Sequence, residues 1–322
     1  MKGWSSLSTT AALFLVTFVL LTGASHPVQP DKMVKPADTD KEIETFNNPH
    51  GIYLPVGTPR NELLLFLPGT NPKETQVPGA RKFCRTAAAC GYHVVYLMYP
   101  NDISAAEVCR RDSNPEAFSE FRHGIIEGAN TPYISIKRPD SIENRTIKLL
   151  EYLDKEDPQY GWGQFLKDGG LNWAKIAVAG QSQGGGHAAW IATKHAVARV
   201  LCFGSPKDFS ANTHSPAKWY ASSVTPLKRY FAFNNVYDKQ GCDYEELRQN
   251  LRQLGIEQFG LAEVDKASPP YRHARVLFTR WPGHAVESKE AHTSVIRDNV
   301  VGADGRPIFE EVWRYMLTEP LD

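Results

Sequence analysis

Short runs with almost no polar member recur at residues 63–67, 93–99, 176–179, 200–203, 230–233 and 276–278, and they limit the possible folds more than any other feature of the chain. A strand with one wet face alternates apolar and polar residues, whereas a strand covered on both faces reads as a continuous apolar run. Between the runs the spacing changes to that of helices. Ile142, Leu149, Leu150 and Leu153 share one helical face behind the N-terminal signal Asp140-Ser141 with Glu143 in the first turn. Residues 185–197 read as a helix of small residues, and 309–317 as a final helix. Strands alternating with helices from residue 61 onward predict an α/β protein with a doubly wound, mostly parallel sheet. The irregular stretches 101–139 and 206–226, rich in Pro, Ser and charge, are expected as loops or cap segments over the end of the sheet where such folds build their sites. With 322 residues, 42% of them apolar, there is mass enough for a real core.

The N-terminus differs from the rest. Lys2 is followed by an apolar run over 11–21, interrupted by Thr17, and then by the small residues Thr22-Gly23-Ala24. A run of about 11 residues is too short for the roughly 20 that span a bilayer but suits a secretory signal. The expected organisation is a signal peptide at 1–24, an arm at 25–45 and a catalytic domain at 46–322, with a secreted or periplasmic destination and no stable membrane span after cleavage. Lys and Arg number 36, as do Asp and Glu, without basic or acidic blocks, so the chain lacks the electrostatic footprint of a nucleic-acid partner. Export permits disulfides among Cys84, Cys90, Cys109, Cys202 and Cys242. The odd count leaves a thiol over in a monomer; Cys202, in an apolar run, is expected to be a buried small hydrophobe, and Cys84 or Cys90 with Cys109 to be the bridge. CxxC and HExxH are both absent, so nothing indicates a metal. Asn144-Arg145-Thr146 fits the glycosylation acceptor pattern but falls inside a predicted helix.

Gly180-Gln181-Ser182-Gln183-Gly184 carries the chemistry. About one chain in ten of this length contains GxSxG by chance, so its context decides. Here it follows the run 176–179 and opens a helix with Gly185 and Gly186; so tight a strand-to-helix turn strains its central residue, presents Ser182 at the carboxyl edge of the sheet, and needs glycine where neighbouring segments approach. A phosphate cradle would need a lysine or a GxGxxG register, and neither is present. A serine nucleophile needs oxyanion donors, and the turn Leu67-Pro68-Gly69-Thr70-Asn71 at the end of an earlier strand offers the amide of Thr70 to pair with that of Gln183. It also needs a base held by a carboxylate. Asp238, just past the run 230–233, is the preferred acid, with Asp243 and Asp208 as rivals; His284 and His292 both follow the last strand, and spacing does not separate them. His187 would lie on the helix after Ser182, facing the wrong way for a base.

The chain resembles the α/β-hydrolase superfamily, and within it a set of secreted hydrolases. The likeness spans roughly residues 60 to 318. It is carried by Leu67-Pro68-Gly69-Thr70, by Tyr96-Leu97-Met98-Tyr99-Pro100-Asn101, by Asp140-Ser141-Ile142-Glu143-Asn144-Arg145 and by Gly161-Trp162-Gly163-Gln164-Phe165-Leu166. The elbow from Ala179 to His187 and the close Val312-Trp313-Arg314-Tyr315 complete it. The resemblance implies an α/β-hydrolase fold and a serine esterase, and it favours His292 in Ala291-His292-Thr293-Ser294 over His284 as the base. Two positions depart from the pattern: no cysteine stands in 114–118 to bridge locally to Cys109, and Gln181 replaces a histidine. The expected reaction is hydrolysis of a small-molecule or lipid-like ester by Ser182, His292 and Asp238 through an acyl-enzyme, without a cofactor. The same groups could act on amides or thioesters, or transfer the acyl group elsewhere. An exported binding protein on this fold is the competitor of another class, but a decayed site would be expected to have lost Ser182, Asp238 or the late histidine.

Overall fold

A computed structural model describes Met1 and residues 28–70, 79–283 and 288–321 of the chain. The expected signal peptide lies almost wholly outside these residues. The main sheet contains the strands β1 (Lys32–Val34), β2 (His50–Tyr53), β3 (Leu63–Leu67), β4 (His93–Tyr96), β5 (Ile176–Gln181), β6 (Arg199–Phe203), β7 (Tyr230–Asn235), β8 (Leu261–Glu263) and β9 (Val276–Thr279). They are ordered β1-β2-β4-β3-β5-β6-β7-β9-β8. β2 runs antiparallel to both β1 and β4, and every pair from β4 to β8 is parallel. Around the sheet lie α1 (Arg81–Ala89), α2 (Ala105–Cys109), α3 (Ala117–His123), α4 (Ile142–Glu156), α5 (Gln183–Lys194), α6 (Tyr244–Leu254), α7 (Ser288–Ser294) and α8 (Glu310–Thr318). The order of strands, the reversed β2 and the strand-turn-helix at β5–α5 make this an α/β-hydrolase fold.

The apolar runs behave as a sheet covered on both sides requires. Leu63, Leu65 and Leu67 enter a core shared with Leu149 and Leu150 of α4 and Ala188 of α5. Leu64 and Phe66 enter the opposite core with Phe83 of α1 and Trp313 of α8. All five side chains of β3 are buried, each contributing about 1.5–3 kcal/mol of apolar transfer. The predicted strand at 93–99 pairs only as far as Tyr96; the remainder leads Tyr99 and Asn101 toward the elbow. α4 begins as expected, with Ser141 Oγ accepting from the amide of Asn144. Asp140 serves differently, accepting from buried Arg145 at 2.6 Å. Asn144 Nδ2 donates to the Pro139 carbonyl at 3.1 Å, within that helix start. β1, in the stretch read as an arm, forms a sheet edge.

The expected disulfide is not formed: all five cysteines are free thiols. Cys84 sits in the core beneath α1 and α8 and Cys109 in the one beneath α4 and α5, so the sheet separates them, and Cys90 lies at the end of α1 on Cys84's side. A bridge needs Cα atoms within about 7 Å. Cys202 is the buried small hydrophobe expected. Among the described residues no helix is long and apolar enough to cross a membrane.

Candidate active site

Ser182 stands between β5 and α5 with φ 55° and ψ −122°, a conformation that costs a non-glycine residue about 1–3 kcal/mol and persists only where the surroundings impose it. They do so closely. The Ser182 amide donates to the Phe203 carbonyl at 2.8 Å, and its carbonyl accepts from the amide of Gly186 at 3.1 Å. A Cβ on Gly180 would collide with the backbone of Gly184, and one on Gly184 with the carbonyls of Leu67 and Pro68. The spacing of glycines in the motif is thus the spacing at which β3, β5 and α5 meet. Ser182 is not buried, and it lines a cavity of about 640 Å³ together with Thr70, Gln183, Lys207 and His292.

The turn after β3 abuts the serine. A Cβ on Gly69 would lie 3.1 Å from Ser182 Cβ and 2.5 Å from the side-chain oxygen of Gln181. Two residues beyond β4 hold this turn by its carbonyls: Tyr99 Oη donates to Pro68 O at 2.6 Å, and Asn101 Nδ2 donates to Gly69 O at 2.7 Å. The Gln183 side chain reaches the same segment, accepting from the Ala105 amide at 2.8 Å and donating to Ile103 O at 2.9 Å. Thr70 and Gln183 are therefore carried by pinned backbone on either side of Ser182. Asn71 lies outside the described residues.

Asp238 and His292, which are 54 residues apart, meet in a buried hydrogen bond of 2.7 Å between Nδ1 and Oδ2. A carboxylate only accepts, so Nδ1 carries the proton and Nε2 is left as the basic nitrogen. Nε2 has no partner among the described residues, and no hydrogen bond yet joins it to Ser182; such contacts often tighten only when substrate binds. The other oxygen of Asp238 accepts from the Gln240 amide at 2.9 Å. Burial alone would push the Asp238 carboxyl up, but the hydrogen bond and charge of His292, followed by Lys207, hold it below the usual carboxylate range.

The rival acids are engaged elsewhere. Asp243 caps α6, where it forms a capping box with Glu246. Asp208 accepts from Arg122 Nε at 2.7 Å and Nη2 at 2.5 Å, and from Trp219 Nε1 at 2.9 Å. This buried pair lies under the elbow, since Arg122 Nη1 also donates to the Gln183 carbonyl at 3.1 Å. His187 is buried beside Arg122, and burial first and the guanidinium second keep its pKa well below that of a free imidazole, so it stays a neutral core group. His284 lies outside the described residues. Lys207, Arg122, Tyr99 and Asn101 were not singled out from sequence. The first two sit in irregular stretches where a charge reads as solvated, and only the strand ending at Asn101 carried any signal.

No family model and no curated protein matches the chain. Solved structures do align over most of it, among them the following three. The MGS-M1 α/β hydrolase from a Medee basin deep-sea metagenome library is 15% identical, covers 89% of this chain and 97% of its own, and has a TM-score of 0.42. Esterase 2 of Thermogutta terrifontis is 12% identical over 79% and 83% of the respective chains, at 0.40. An α/β serine hydrolase homologue from Coxiella burnetii is 12% identical over 72% and 81%, at 0.39. None of these identities reaches a level at which residue roles transfer.

Proposed function

We propose that the protein is an exported serine hydrolase of carboxylic esters. Ser182 Oγ attacks the ester carbonyl while His292 Nε2 takes its proton, and Asp238, bonded to Nδ1, fixes the ring and offsets the charge it gains. The tetrahedral oxyanion is met by the amides of Thr70 and Gln183, each such donor being worth about 3 kcal/mol. Collapse expels the alcohol, which receives the proton back from His292. Water, activated by the same nitrogen, then releases the acid from the acyl-serine. The observation that carries this reading is the 2.7 Å bond linking buried Asp238 to His292, which lines the same cavity as the strained serine. Secretion or periplasmic delivery by the segment 1–24 belongs to the same proposal.

A panel of p-nitrophenyl esters of rising acyl length tests it. The wild type and His284→Ala should turn over the panel, and Ser182→Ala and His292→Ala should lose at least about a thousandfold in kcat. Loss of activity in His284→Ala with His292→Ala intact would move the base to His284.

A further inference from the structure

The carboxylate oxygen that orients His292 is shared. Lys207 Nζ lies 2.7 Å from Asp238 Oδ2, the atom that accepts from His292 Nδ1. The ammonium also donates to the carbonyls of Gln240 at 2.6 Å and Cys242 at 3.2 Å. Its side chain is 11% exposed and that of Asp238 4%. A cation fitted to three acceptors is fixed in place as a charge, unlike the mobile lysine of a surface pair.

We propose that Lys207 is a positioning residue whose fixed ammonium sets the pH at which His292 can act as base; this rests on the hydrolase reading above. In a triad the acid favours the imidazolium form by its negative charge. Here part of that charge is already compensated by Lys207, so the shared carboxylate offers the imidazolium form less stabilisation than an unshared one would. Other charged or titratable groups stand nearby among the described residues. Arg122 and Asp208 neutralise each other under the elbow. The Cys242 thiol, pushed up to about 12 by burial, is uncharged at neutral pH. Lys239 is exposed. Glu290 lies on the helix of His292, and Arg297, three residues beyond its end, lines the cavity.

The test uses the full-length protein, with two readouts in wild type, Lys207→Met, Lys207→Gln and Lys207→Arg. One is the titration of the His292 imidazole by NMR, assigned from its loss in His292→Asn; the other is the acid limb of kcat/KM. Removing a positive neighbour favours the imidazolium, so both midpoints should rise by about one pH unit in Lys207→Met, a tenfold loss on the acid limb relative to wild type. Lys207→Arg should stay within about 0.3 unit of wild type, because it keeps the charge. Lys207→Gln retains a donor for the two carbonyls and should move like Lys207→Met; it decides the matter if the methionine variant does not fold. Midpoints within about 0.2 unit of wild type in the neutral variants would overturn the inference and leave Lys207 a structural tether. The NMR titration does not require turnover. A shifted His292 midpoint in a protein whose hydrolysis survives Ser182→Ala would uphold the role of Lys207 and refute the catalytic reading.

Discussion

Replacing Arg122 by methionine should damage stability and site together. The guanidinium makes two bonds to Asp208, at 2.7 and 2.5 Å, and one to the Gln183 carbonyl at 3.1 Å, with side-chain exposures of 2% and 3% for the pair. Methionine fills much of the volume but leaves the Asp208 carboxylate buried with Trp219 Nε1 and without a counter-charge. Breaking a pair of this kind from one side costs about 3–5 kcal/mol, a large share of the 5–15 kcal/mol that holds a typical domain. The guanidinium chloride midpoint should fall by about 1 M. Because the cost lies in the orphaned charge, the double variant Arg122→Met with Asp208→Leu should be more stable than Arg122→Met alone, with a coupling of at least about 2 kcal/mol. The folded fraction of Arg122→Met should also hydrolyse esters more slowly, since the carbonyl of Gln183, the proposed oxyanion donor, has lost a partner. A single-variant loss below about 1 kcal/mol, or additive effects in the cycle, would refute the reasoning.

Three further outcomes follow from particular contacts. His50 is buried, its Nδ1 accepts from the Met98 amide at 2.9 Å, and burial first and Arg145 second lower its pKa to about 3; the unfolded chain therefore takes up a proton below pH 6.5 that the folded chain refuses. Stability should drop by about 1.4 kcal/mol per unit as pH falls from 6.5 toward 3 on this account, with His187 adding in the same direction, and urea titrations of His50→Gln should show a correspondingly shallower slope. Thiol titration of the unreduced, denatured protein should count five, matching the free cysteines, whereas a count of three would restore a disulfide. Asn101→Ala removes the donor to the Gly69 carbonyl and should lower kcat about tenfold with KM nearly unchanged; unchanged kcat would mean that this bond does not position the oxyanion turn.

What could be read from the sequence was what depends on burial over several consecutive residues. Leu63–Leu67 declared a strand because both of its faces are covered, and the elbow declared itself because Gly180 and Gly184 are required wherever Ser182 is so tightly turned. The edge strand at Lys32–Val34 gave no such sign: it is short, and Met33 is exposed. The short strand at the opposite edge, Leu261–Glu263, was equally silent; helix Tyr244–Leu254 buries only a narrow face, and Arg81–Ala89 buries small and polar residues beside Phe83. Asp238 and His292 were legible as candidates from their places after strands, but only the fold brings them to 2.7 Å. Lys207 was illegible for a physical reason: a lysine in a polar loop looks solvated until the folded chain places three acceptors around its nitrogen. Its meaning lies in its partners.

Reaction with a fluorophosphonate, followed by peptide mapping, tests the central claim most directly. The account predicts one label per chain, on Ser182, absent in Ser182→Ala and slowed at least a hundredfold, to order of magnitude, in His292→Ala. A folded wild type that takes no label, or a label on another residue, would contradict it.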